Sequence, residues 1–100
     1  MDINDIIYAV SRHTGISKHT ILKYDRHRGV ADSRMMVYYL LHTLCGMNFS
    51  AIGRRMKRTH AAVFHGINEV NIWVDETRPR DHHTKHNCEI IKRIISELKE

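Results

Sequence analysis

The side chains able to do chemistry in this sequence are nine histidines, two cysteines and a set of sixteen lysines and arginines. The histidines raise metal binding first. His82, His83, His86 and Cys88 lie close together, and His82 and His86 have the i, i+4 spacing that puts two ligands on one helix face. Asp81 adds a carboxylate nearby. Structural zinc sites, however, usually pair Cys or His motifs across a loop, and the other thiol, Cys45, lies in an apolar helical run. The stretch therefore reads as a polar connection, with His82 and His86 only a candidate pair. No metal and no cofactor are expected. Nucleophilic chemistry finds less support. There is no Gly-x-Ser-x-Gly and no phosphate-cradling glycine loop, and neither cysteine sits beside a histidine with an orienting carboxylate. No catalytic residue is expected, and no enzyme.

The basic residues are organised. Residues 12–68 hold ten of them (Arg12, Lys18, Lys23, Arg26, Arg28, Arg34, Arg54, Arg55, Lys57 and Arg58) against Asp25 and Asp32, a net of +8. Residues 1–11 carry two acids and no Lys or Arg, and residues 69–100 are close to neutral. A basic middle between near-neutral ends suits a polyanion, most simply nucleic acid. A solvated surface with no partner would give the same arithmetic, so charge alone leaves both open.

One hundred residues fit a single compact domain and leave no room for an ATP-driven motor module. The 42% hydrophobic share and single proline argue against wholesale disorder. No apolar run approaches the roughly 20 residues of a membrane helix. The start has no basic n-region, so no secretory signal is expected. Two lone cysteines make no disulfide framework, and a cytosolic setting is the expectation.

The elements that must position the basic residues read as helices. Ile3, Ile6, Ile7 and Val10 have helical spacing, with Asp2 placed to cap and Gly15 to stop. Ser17 caps a short second helix holding Ile21 and Leu22. Lys23-Tyr24-Asp25-Arg26-His27-Arg28-Gly29 has no periodicity and reads as a basic, mobile loop. From a cap at Asp32 or Ser33, a long helix runs through Met36, Val37, Leu40, Leu41 and Leu44 to Gly46. Asn48 caps a short helix, Phe49 to Met56, and Thr59 caps another reaching about Val74. Val63, Ile67, Val70 and Val74 form its stripe, with Phe64 beside it and Trp73 off it. Aromatic and Met residues at helical spacing, Phe64 included, read as core rather than site. Gly53 inside its helix reads as a close-packing position. Tyr38 and Tyr39 cannot both point inward. Residues 75–87 read as an exposed polar connection and residues 88–100 as a last amphipathic helix, with Ile90, Ile91, Ile94, Ile95 and Leu98 apolar. That face must pack on the domain or on a partner chain, so a homodimer or protein partner stays open. The reading is all-α.

A short and a longer helix joined by a tight turn make a helix-turn-helix over residues 49–74, within a domain of residues 1–74. In such a motif the start of the second helix meets base edges in the major groove. Here it offers Thr59, His60, Ala61 and Ala62, with His65 further along. Small side chains allow close entry, Ala methyls suit a thymine methyl, and His60 can bond a base edge. Lys23, Arg54, Arg55, Lys57 and Arg58 are placed for phosphates. Arg26 and Arg28 on the loop suit a minor groove, where negative potential concentrates.

Three patches then resemble a known family. Arg26-His27-Arg28-Gly29-Val30-Ala31-Asp32-Ser33-Arg34 is similar to the basic loop and long-helix start of the C-terminal DNA-binding domain, domain IV, of the bacterial replication initiator DnaA. Ile52-Gly53 resembles the Ile-Gly of that domain's first helix-turn-helix helix. Arg58-Thr59-His60-Ala61-Ala62-Val63-Phe64-His65 resembles its signature Arg-Asp-His-Thr-Thr-Val-Leu-His. The likeness runs from Val10 to Val70, and the tail helix has a counterpart. It implies a compact all-α domain of about six helices, of the domain IV or Trp-repressor-like kind. It also implies that Arg26 and Arg34 contact the minor groove, that Arg58 and His60 touch phosphate and bases, and that His65 matches the signature's last histidine. This chain departs from the pattern. Thr59 replaces a base-reading Asp, Ala61 and Ala62 replace two Thr, Asp32 replaces a usually basic residue and Ser33 a Pro. One residue of the Gly-Gly before the signature Arg is missing.

The expectation is a double-stranded DNA-binding protein, sequence-specific, in the bacterial cytoplasm or nucleoid. It would regulate replication initiation or transcription without ATPase activity, in a host or a mobile element. The alternative is an adaptor or inhibitor whose basic face binds an acidic protein.

Overall fold

A computed structural model describes residues 1–23 and 25–99. Tyr24 in the expected loop and Glu100 at the tail lie outside the described residues. Among the described residues six helices follow in order: α1 Ile3–Thr14, α2 Lys18–Leu22, α3 Arg28–Cys45, α4 Phe49–Met56, α5 His60–Val74 and α6 His82–Leu98. There is no strand among the described residues.

Most ends are set by local chemistry. Asp2 and Asp5 form a reciprocal capping box, each carboxylate accepting the other's amide at 3.1 and 2.9 Å. Ser17, Asn48 and Thr59 accept from the amides of Thr20, Ala51 and Ala62. Gly15 and Gly46 close α1 and α3 in the left-handed region.

The long helix begins earlier than its residue types suggest. It starts at Arg28, so the loop ends at His27, and Asp32 and Ser33 lie inside the helix instead of capping it. Ser33 Oγ donates back to the Gly29 carbonyl at 2.8 Å. Asp32, buried to 7% exposure, accepts from Asn87 Nδ2 at 3.1 Å and pairs with His83 Nε2 at 2.7 Å. Those partners belong to α6 and account for a second correction. The expected connection over residues 75–87 ends at Asp81, whose carboxylate accepts the Thr84 amide and starts α6 at His82. The contacts that hold its first turns are polar, and apolar periodicity does not register them.

α3 is the spine, packing mainly on α5 and α1; α4 lies on α5, and α6 lies on α5 and α1. Ile6, Val10, Ile21, Met36, Val37, Leu40, Leu41, Ile52, Val63, Val70, Ile91 and Ile94 are fully buried between them. Trp73 is buried as well, so the inner stripe of α5 is wider than Val63, Ile67 and Val70. Of the two tyrosines, Tyr38 is buried and Tyr39 half-buried. The apolar face of α6 is spent on its own domain through Ile90, Ile91 and Ile94. Its exposed residues, among them Lys85, Glu89, Lys92 and Arg93, are polar. Among the described residues, no helix is long and apolar enough to cross a membrane.

Candidate nucleic-acid interface

The turn between α4 and α5 is built by Gly53 and Lys57. The Arg58 amide donates to the Gly53 carbonyl at 2.9 Å, folding the chain back over α4. A Cβ on Gly53 would sit 2.7 Å from the Arg58 carbonyl oxygen. The close approach foreseen for this glycine is thus made by the turn's own backbone. Lys57 takes the left-handed conformation, φ 56°, that a glycine adopts without strain. Ser50, Gly53, Arg54, Lys57, Arg58, Thr59 and His60 together line an open concavity at this turn.

The first turns of α5 present His60, Ala61, Ala62 and His65 exposed, with Thr59 exposed as the cap. Two further residues join that face. Ser50 Oγ lies 3.3 Å from His60 Nδ1. Phe64, 49% exposed instead of core, stacks edge-on against Phe49, which also meets the His60 ring edge-on. Phe64 stands four residues after His60, one turn along the same face. Arg54, Arg55 and Lys57 are exposed, while Arg58 is half-buried and donates to the Lys57 carbonyl at 3.0 Å.

The loop is shaped rather than loose. Asp25 Oδ1 accepts the His27 amide at 2.8 Å and meets the His27 ring at 2.7 Å. The amide first, and then the ring, hold the Asp25 carboxyl below the usual carboxylate range. Arg34 lies beneath, 8% exposed, its guanidinium donating to the Lys23 carbonyl at 2.9 Å and the Asp25 carbonyl at 2.8 Å. Burial pushes the Tyr38 hydroxyl's pKa up, against the opposing charges of Arg58 and Arg34. Arg34, Tyr38 and Arg58 also line one furrow with Ala31, Met35, Ala62 and His65, which brings the loop's support beside the start of α5. Lys23, Arg26 and Arg28 are exposed around it, Arg28 from the first turn of α3.

The expected sites therefore divide. Thr59, His60, Ala61, Ala62, His65, Arg54, Arg55, Lys57 and Arg58 gather at the turn, and Lys23, Arg26 and Arg28 at the loop. Arg34 is placed under the loop, not on its surface. His82 and His86 are exposed on α6, and among the described residues no group of three or more His, Cys, Asp or Glu could hold a metal ion. Cys45 and Cys88 are free thiols, and burial raises the pKa of Cys45.

Residues 3–70 match the family described as the bacterial dnaA protein helix-turn-helix. The chain belongs to this DnaA family. It is 32% identical over 96 residues to the chromosomal replication initiator protein DnaA of Rhizobium johnstonii, which covers 95% of this chain and 19% of that protein. The DnaA of Bartonella quintana is 33% identical over 98 residues, with the same shares. That of Lachnoclostridium phytofermentans is 36% identical over 66 residues, 65% of this chain and 15% of the relative. The chain thus spans less than a fifth of the length of these DnaA relatives. The departures from the DnaA pattern gain local reasons. Lys57 occupies the left-handed position of the shortened turn, and Asp32 is committed to α6.

Proposed function

We propose that this DnaA-family chain binds double-stranded DNA with sequence preference. The first turns of α5 enter a major groove, and Arg26 and Arg28 meet the neighbouring minor groove. The convergence of the basic residues carries this reading: Arg54, Lys57 and Arg58 ring the same concavity as His60. Arg26 and Arg28 flank the start of α3, whose Arg34 shares a furrow with Arg58. Arg54, Arg55 and Lys57 fit phosphates, and the α5 N-terminus adds orphan amides for another. His60 is the polar base reader, and the methyls of Ala61 and Ala62 favour thymine. Losing the Asp and Thr readers of the DnaA signature shifts the preferred sequence away from the initiator's own box. Such a protein would act on replication initiation or transcription by occupying sites, without ATP hydrolysis.

Selection of bound sequences from a random duplex library, followed by titration of the winners at several salt concentrations, tests this. With about five to eight phosphate contacts, affinity is expected to fall by orders of magnitude between roughly 50 and 200 mM salt. Arg26→Ala and His60→Ala are expected to weaken binding. Salt-independent binding, or binding unchanged in both variants, would refute the reading.

A further inference from the structure

We infer that Arg34 is a positioning residue: it fixes the basic loop at Lys23 and Asp25 beside the helix-turn-helix instead of contacting the duplex itself. The inference rests on the DNA-binding reading for its consequence, but not for its geometry. Arg34 projects from the second turn of α3 and is 8% exposed. It spends one terminal nitrogen on the Lys23 carbonyl and the other on the Asp25 carbonyl, at 2.9 and 2.8 Å. One turn further along α3, Tyr38 lines the same furrow as Arg34 and Arg58. The side chain that holds the loop thus lies in one furrow with Arg58 of the turn.

The chemistry requires arginine. A guanidinium holds five donors in a rigid fork and can serve two carbonyls at once, whereas an ammonium has the charge without the fork. Asp25 completes the arrangement from within the loop by accepting the His27 amide. A loop already held in place loses less freedom when Arg26 and Arg28 meet a groove, so more of their attraction appears as affinity.

Limited trypsin digestion of the free full chain, with thermal melts to establish folding, is the first arm of the test. Arg34→Lys is expected to speed cleavage after Lys23 and Arg26 about tenfold, and Tyr38→Phe about threefold, because local opening exposes those bonds. Unchanged loop cleavage in both folded variants would overturn the inference. The second arm measures affinity for a random-sequence duplex pool. Arg34→Lys is expected to cost about tenfold in the otherwise native chain, and less than about twofold once Arg26 and Arg28 are alanine. Equal losses in the two backgrounds would mark Arg34 as an independent DNA contact and overturn it. A native chain that binds no duplex refutes the DNA-binding reading, while the digestion still decides whether Arg34 holds the loop.

Discussion

In the proposed function His60 reads a base edge, and two neighbours bear on its orientation. Ser50 lies against Nδ1 and Phe49 meets the ring edge-on, leaving Nε2 as the nitrogen for a base edge. Ser50→Ala is therefore expected to reduce discrimination between a selected duplex and random sequence by about two- to tenfold, the worth of one ordinary hydrogen bond. The salt dependence should stay the same, because no phosphate contact is lost. Paired titrations of both duplexes over a salt series check this. The exposure of His60, Ala61, Ala62 and His65 was legible in the sequence, because the stripe of Val63, Ile67 and Val70 defines the opposite face. Phe64 and Ser50 were not. An aromatic at helical spacing reads as core by default, and a serine near a helix start reads as one more capping type. Arg34 shows the limit of charge counting. A buried arginine serving two carbonyls has the same letter as one that waits for phosphate.

At the level of elements, caps with a side-chain signature were readable: Asp2, Ser17, Asn48 and Thr59 all sit where their helices begin. α3 begins at Arg28 with His27 as a cap that makes no side-chain bond, so nothing local announces it. The three-residue link between α4 and α5 was legible in place but not in conformation. Lys57 there holds a positive φ that costs a side-chain-bearing residue about 1 kcal/mol or slightly more. Lys57→Gly is expected to recover about 0.5–1 kcal/mol of stability, read as a higher denaturant midpoint. The same change removes a cation from the concavity, so the slope of log affinity against log salt should fall by about one. Stability and affinity then move in opposite directions. A variant that lost both would mean that the lysine, and not the backbone conformation, holds the turn.

For the molecule as a whole, the anchoring of α6 was the part the sequence hid. His83 and Asn87 are spaced i, i+4 like an apolar pair, yet what they meet is Asp32 on α3, fifty-one and fifty-five residues away in sequence. Asp32→Ala would leave buried Asn87 without that acceptor, at a cost of about 1–3 kcal/mol. A fall of about 4–15 °C in melting temperature is expected for a domain of this size. Cys88, 1% exposed beside Asn87, should become open to thiol reagents at the same time. A melt together with a labelling time course measures both. The core of α6 matters beyond this variant. Ile90, Ile91 and Ile94 bury side chains worth roughly 5–9 kcal/mol together by transfer. That is comparable to the whole stability of an ordinary domain, about 5–15 kcal/mol. The match to the family model stops at residue 70, so that stretch alone is not the one that can be transplanted. Anyone grafting this domain onto another protein would have to carry the chain through Leu98, and could vary freely only the outer, polar side of its last helix.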